Sequence, residues 1–122
     1  MRFASLGSGS KGNSTLIEWS GGAILVDCGF SVRETEARLA RLNYSASDLS
    51  AVLVTHEHGD HVKGVAALAR RYKLPVYMTP GTYHSRDYGA LPDLNLIENY
   101  QSFNLGQLEV EPVAVPHDAR EP

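Results

Sequence analysis

The stretch Ala51-Val-Leu-Val-Thr-His-Glu-His-Gly-Asp-His61 constrains this chain more than any other. Its apolar first part, Ala51 to Thr55, reads as a buried strand, and it ends abruptly in four ligand-type side chains: His56, His58, Asp60 and His61. In extended backbone, residues two apart face the same side, so His56 and His58 present their imidazoles to one metal ion while Glu57 points away. Gly59 lets the chain turn sharply. Asp60 and His61 follow at the start of a helix, within reach of a second ion beside the first. Imidazole and carboxylate suit zinc, with manganese or iron also compatible, and no thiol lies nearby to build a structural cysteine site. A pair of divalent ions suits hydrolysis: one polarises the scissile group and both lower the pKa of a water. Asp60 is then the catalytic candidate, orienting that water or accepting its proton. A solvated polar loop is the competing description, but it explains one isolated histidine better than four ligand-type side chains in one loop.

The chain around this loop alternates strands and helices. Met1 to Leu6 reads as a strand, followed by the loop Gly7-Ser-Gly-Ser-Lys-Gly-Asn13; Ser14 to Trp19 and Ala23 to Cys28 form two more strands, joined by a tight turn at Gly21-Gly22. Ser31 and Glu34 form a capping box for a helix with Val32, Thr35, Leu39 and Leu42 on one face, ending near Asn43. A second helix is expected from about His61 to Tyr72, burying Val65, Leu68, Ala69 and Tyr72. Pro75 marks its exit into a parallel-type strand, Val76 to Met78. Pro80 opens a helical turn within Thr79 to Asp87, Ser85 to Pro92 is loop, and Leu94 to Asn99 and Leu108 to Val115 are strands around a turn at Asn104 to Gln107. This succession is the α/β pattern.

Bulk properties narrow the choices. A chain of 122 residues that is 43% hydrophobic makes one small domain with a core. A net charge of −3 and a pI near 5.9 provide no global basic field, so a nucleic-acid substrate would have to be attracted by metals and a local patch. The single cysteine, Cys28, cannot form an internal disulfide, which fits a reducing cytosol and hence a cytoplasmic location. Cys28 itself reads as a buried small hydrophobe, since no activating base accompanies it. No stretch approaches the ~20 apolar residues of a membrane span, and no signal peptide is expected.

Smaller features complete the picture. The loop at positions 7–13 lacks the Gly-Lys-Ser/Thr ending of a nucleotide-binding P-loop and precedes a strand. Its exposed amides, with Ser8, Ser10, Lys11 and Asn13, are candidate phosphate contacts near the metals. His84 and the helix-face charges Arg33, Glu36 and Arg38 are expected to face only solvent. Near the end, Val113-Ala-Val-Pro-His117-Asp118 repeats the junction seen at His56, an apolar strand running into a histidine.

His56-Glu-His-Gly-Asp-His61 resembles the His-x-His-x-Asp-His signature of the metallo-β-lactamase-fold hydrolases. The opening Met1-Arg-Phe-Ala-Ser-Leu-Gly-Ser-Gly-Ser-Lys-Gly-Asn-Ser-Thr15, with Ile24-Leu-Val-Asp-Cys-Gly29 and Val115-Pro-His-Asp-Ala119, is similar to the YycJ (WalJ, VicX) branch of that superfamily. Members of that branch are phosphodiesterases or exonucleases acting on nucleic acid. The resemblance spans essentially the whole sequence. It implies an α/β (α+β) fold class, with residues 1–122 as a single partial domain, the N-terminal αβ half of a metallo-β-lactamase-type αββα sandwich. It implies two divalent ions: His56, His58 and His117 hold the first, and Asp60 and His61 hold the second. Asp27 would support the metal loop through hydrogen bonds without binding metal. The family also uses a bridging Asp and a final His from a second half, and no residue here matches either; Asp118 does not stand in for the bridging ligand.

A lone half exposes the inner face of its sheet, so the expected partners include a missing C-terminal half or a second copy of the chain. The implied activity is hydrolysis of nucleic acid or a small phosphodiester. The same ligands also serve thioester or amide hydrolases of the glyoxalase II and lactamase kinds, and a truncated metal-binding fragment without turnover is a third expectation. The ligand assignment makes a direct prediction. His58→Ala should abolish tight metal binding in competition against a chelator, whereas His84→Ala should leave it unchanged. Equal loss from both would mean that the ligands are other histidines.

Overall fold

Alternation of side chains along each strand decides how this chain builds its layers. The computed structural model describes residues 1–113. Six strands pair in chain order: β1 (Arg2–Gly7), β2 (Ser14–Trp19), β3 (Gly22–Val26), β4 (Ala51–Leu53), β5 (Pro75–Met78) and β6 (Asp93–Leu96). The first three form an antiparallel meander, and β3 to β6 run parallel. Parallel strands need crossovers, and these carry the helices. Helix α1 (Val32–Ala40) and a 3₁₀ turn (Ala46–Asp48) join β3 to β4, α2 (Gly59–Val62) and α3 (Val65–Tyr72) join β4 to β5, and α4 (Pro80–His84) joins β5 to β6. A separate hairpin, β7 (Phe103–Leu105) and β8 (Leu108–Val110), follows.

One face of the sheet holds Leu6, Leu16, Leu25, Val52, Val76 and Met78 against Leu39, Val65 and Leu68 of the helices. Each such leucine, once fully buried, contributes about 1.5–3 kcal/mol. The alternate residues Ile17, Trp19, Ile24, Val26, Leu53 and Tyr77 point the other way, beneath Phe103, Leu105, Leu108 and Val110 of the hairpin. There the Tyr77 and Phe103 rings stack with centroids 5.2 Å apart. Burial on both faces explains why the parallel strands read as continuous apolar runs. Phe3, opposite Ile17 in register, remains 65% exposed at the edge of this second face. No helix among the described residues is long and apolar enough to cross a membrane.

Local signals placed most element ends. Ser31 Oγ accepts from the Glu34 amide at 3.2 Å, as a helix cap should. The other half of the capping box is not made, because the Glu34 carboxylate accepts from Arg38 Nε at 2.8 Å instead. The end near Asn43 is a Schellman closure: Asn43 is left-handed (φ 57°), its amide bonds to the Ala40 carbonyl, and the Tyr44 amide reaches Leu39, both at 3.0 Å. Pro80 does open α4, behind a Thr79 cap.

The structure departs from expectation where tertiary contact intervenes. The helix anticipated from His61 to Tyr72 is broken into α2 and α3. At the break, the Gly64 amide bonds to the Cys28 carbonyl at 2.9 Å, and a Cβ on Gly64 would collide with the Phe30 carbonyl. Gly59 does not supply a special turn, since it opens α2 without a positive φ. Arg38 and Glu36 are not merely solvated. Arg38 Nη1 donates to the Leu6 carbonyl at 2.5 Å while its guanidinium lies 4.1 Å from the Phe30 ring centre. Glu36 accepts from the Tyr72 hydroxyl and pairs with Arg71 at 3.3 Å, tying α1 to α3. The final turn is tighter than expected, with Asn104 already in β7 and Gly106 left-handed (φ 60°). The sixth strand ends at Leu96, and the strand expected over Leu108 to Val115 ends at Val110, with positions 114 and 115 lying outside the described residues.

These contacts predict a pattern of glycine tolerance. A Cβ at Gly29 would meet the Asp60 carbonyl, so Gly29→Ala and Gly64→Ala should each destabilise the fold by about 1–3 kcal/mol in urea titrations. Gly59→Ala, whose nearest neighbour would be Arg86 Nη1 at 3.9 Å, should change stability by less than about 0.5 kcal/mol.

Candidate metal centre

Three loops meet at one end of the sheet, and backbone hydrogen bonds lock them together. They are the turn between β1 and β2, the segment Asp27 to Phe30 after β3, and the histidine loop after β4. The Asn13 amide donates to the Asp60 carbonyl at 2.7 Å, the Gly29 amide to Asn13 at 3.0 Å, and the Cys28 amide to His61 at 2.8 Å. Side chains at Gly29 and Gly64 would prevent this approach. The location, outside the carboxyl ends of parallel strands, is the usual ligand position in open α/β sheets.

Asp27 organises the centre. It is 5% exposed and sits at the end of β3 in left-handed backbone (φ 65°), a conformation that aspartate tolerates better than most residues. Its amide continues the ladder to the Leu53 carbonyl at 2.7 Å, and its own carbonyl accepts from Ser14 Oγ at 2.8 Å. The carboxylate takes three donors: the Thr55 amide on Oδ1 at 2.7 Å, the Thr55 hydroxyl on Oδ2 at 2.5 Å, and His61 Nδ1 on Oδ2 at 2.7 Å.

These bonds determine the imidazole tautomers. Thr55 has one hydroxyl proton and spends it on Asp27, so its oxygen accepts from His56 Nδ1 at 2.8 Å. His61 likewise donates through Nδ1. In its neutral form each ring then carries its proton on Nδ1, so that Nε2 is the atom that can ligate a cation. The His56 ring lies 4.3 Å from that of His61 and 6.1 Å from that of His58. Asp60 Oδ2 approaches His61 Nε2 at 3.7 Å, near the ~3.4 Å separation of two oxygen or nitrogen ligands on a tetrahedral zinc. Asp27, His56 and His61 also present ligand-type atoms within 4.8 Å of one another.

The residues singled out from sequence thus separate into groups. His56, His58, Asp60, His61 and Asp27 converge. Ser8, Ser10 and Lys11 line a concavity with Phe30 and Arg38 that none of the convergent side chains enters. Asn13 differs from these: its side-chain amide turns inward, onto Asp60 and Gly9. His84 is exposed, edge-on to Tyr83. His117 lies outside the described residues. Cys28 is fully buried, and its thiol pKa is raised first by burial and further by the Asp27 charge; it stays protonated at neutral pH and is no nucleophile.

Two contributors were not anticipated. Thr55, read as the last residue of a strand, relays Asp27 to His56. Arg86, read as part of a loop, donates from Nη1 to the Glu57 carbonyl at 2.9 Å and pins the outer side of the histidine loop. A hydroxyl immediately before the first histidine was the available hint for Thr55; nothing local marks Arg86.

Comparison with known proteins agrees with this architecture. The chain is 40% identical over 126 residues to the exodeoxyribonuclease YycJ of Bacillus anthracis and 35% identical over 127 residues to the exodeoxyribonuclease WalJ of Streptococcus pneumoniae serotype 2 (strain D39 / NCTC 7466). These alignments cover 100% and 99% of this chain but 48% and 47% of the relatives, so the chain spans about half their length. Among solved structures, Rm3 metallo-beta-lactamase superposes with a TM-score of 0.80 at 25% identity, over 98% of this chain and 51% of that one. The sequence model of the Metallo-beta-lactamase superfamily matches residues 7–118. With nearly the whole chain covered, and with the α/β half of that fold built around its histidine loop, this chain belongs to the metallo-beta-lactamase superfamily.

Proposed function

We propose that this chain forms the N-terminal half of a metal-dependent phosphodiesterase that hydrolyses nucleic acid, in the manner of an exonuclease. One observation carries the metal chemistry: Asp27, directly and through Thr55, sets His61 and His56 in the Nδ1-protonated tautomer, which can ligate a cation through Nε2. The nucleic-acid substrate is supported by 40% identity to an exodeoxyribonuclease along the whole chain, against 25% to a lactamase of similar fold.

His56 and His58, with His117, would hold one ion, and Asp60 and His61 the other. Zinc fits this nitrogen and carboxylate set, with manganese or iron as alternatives. Asp27 would support these ligands from outside the coordination sphere, its carboxylate accepting from Thr55 and His61. When bound, the ions supply Lewis acidity, polarising the phosphoryl group and acidifying a water. The protein's own groups do the rest. Asp60 would orient that water or accept its proton, while the amides and hydroxyls around Ser8 and Ser10, with the Lys11 ammonium, would face the phosphodiester.

Residues 1–122 are one partial domain in this proposal. A C-terminal half, or a second copy of the chain, would supply the remaining ligands and cover the second face of the sheet. A cytoplasmic location accompanies it.

Expressed in its full native reading frame and loaded with zinc or manganese, the protein should cleave DNA or RNA oligonucleotides and leave thioesters and β-lactams intact; the reverse preference would overturn the substrate assignment. Asp27→Asn keeps the shape but replaces one acceptor oxygen with a donor. It should weaken metal affinity by about 10–100-fold in chelator competition. Unchanged affinity would remove Asp27 from this role.

A further inference from the structure

From the hydrogen bonds of the β1–β2 turn, we infer that Asn13 is a positioning residue for Asp60, holding its carboxylate in the rotamer that binds the second metal ion. The inference rests on the proposed assignment of Asp60 and His61 to that ion.

Four bonds define the Asn13 amide. Its Oδ1 accepts from the Gly9 amide at 3.1 Å, while Nδ2 donates one hydrogen to the Gly9 carbonyl at 2.8 Å and shares the other between the Asp60 carbonyl at 3.1 Å and Asp60 Oδ2 at 3.0 Å. Those partners fix its orientation. A flipped amide would set an oxygen against three oxygens and a nitrogen donor against the Gly9 N–H. The Asn13 side chain is therefore a rigid plate with a donor edge on Asp60.

The chain does not depend on the bond to Oδ2 for its path. The main-chain path is already secured by the Asn13 amide on the Asp60 carbonyl at 2.7 Å and by the Gly29 amide on the Asn13 carbonyl at 3.0 Å. The contact with Oδ2 adds nothing to that path and acts only on the carboxylate. Asp60 needs such a restraint, because its side chain is 32% exposed and would otherwise rotate in solvent. Held by Asn13, its Oδ2 stands 3.7 Å from His61 Nε2. Asn13 thus does for the second ion what Asp27 does for the imidazoles, and it does so from the loop that faces the substrate.

The test is a stepwise Co²⁺ titration of the metal-free protein in its full native reading frame, comparing wild type with Asn13→Ala and with Asn13→Asp, which keeps the shape but lacks the N–H donors. Cobalt spectra separate the two ions. Both variants should bind the second ion about 10–100-fold more weakly while the first changes by less than about threefold. Equal weakening of both ions would indicate a general structural role and overturn the proposal, as would unchanged affinity for the second. A wild-type protein that takes up fewer than two ions would instead defeat the two-ion assignment, and this proposal with it. Should neither variant fold, the wild-type protein decides by NMR with Zn²⁺. The Asn13 Nδ2H₂ resonances should shift with the second equivalent and not the first; a shift with the first equivalent only, or none, overturns the proposal.

Discussion

Asp27 occupies a position that is unfavourable on two counts. A carboxylate with 5% exposure loses its hydration, and left-handed backbone costs an L-residue about 1–2 kcal/mol. Three short bonds to a charged acceptor offset this, because charge-assisted bonds are roughly twice as strong as neutral ones. Local strain of this sort persists only where the surroundings over-determine it. Here the over-determination comes from the ladder bond of Asp27 to Leu53 on one side and the Ser14 hydroxyl on the other. The strain is local, and its effect is to orient two imidazoles.

The same crowding explains the broken helix. Cys28 to Phe30 pass so close to the start of α2 and α3 that the chain bonds across the gap at His61 and Gly64. A continuous helix from His61 would have to forgo those bonds, and no Cβ fits at Gly29 or Gly64. The histidine loop is therefore held by its neighbours and not by the helix that follows it. That arrangement suits a site whose ligands must be fixed before a cation arrives.

The two faces of the sheet have different fates. The helix side is complete, with Leu16, Leu25, Val52 and Val76 fully buried. On the other side the β7–β8 hairpin covers the parallel strands, while Phe3 on β1 remains open to solvent. The chain spans about half the length of its YycJ and WalJ relatives, and among its described residues Phe3 marks the uncovered edge of this second face.

The sequence by itself determined the succession of strands and helices, the α/β class and the clustering of His56, His58, Asp60 and His61 in one loop, because each depends on neighbours in the chain. The apolar run Ala51 to Leu53, the Ser31 cap and the spacing of His56, His58, Asp60 and His61 are all local. What only the tertiary structure decided were the partners that orient those residues. Asp27 meets Thr55 across 28 positions and His61 across 34, and Asn13 meets Asp60 across 47. The same holds for the split at Gly64, the seating of Arg38 on Phe30 and the pin from Arg86. Such contacts depend on the register of parallel strands and on how closely two backbones can approach. Neither is encoded in the periodicity of any single segment; both exist only once β3, β4 and the β1–β2 turn lie side by side.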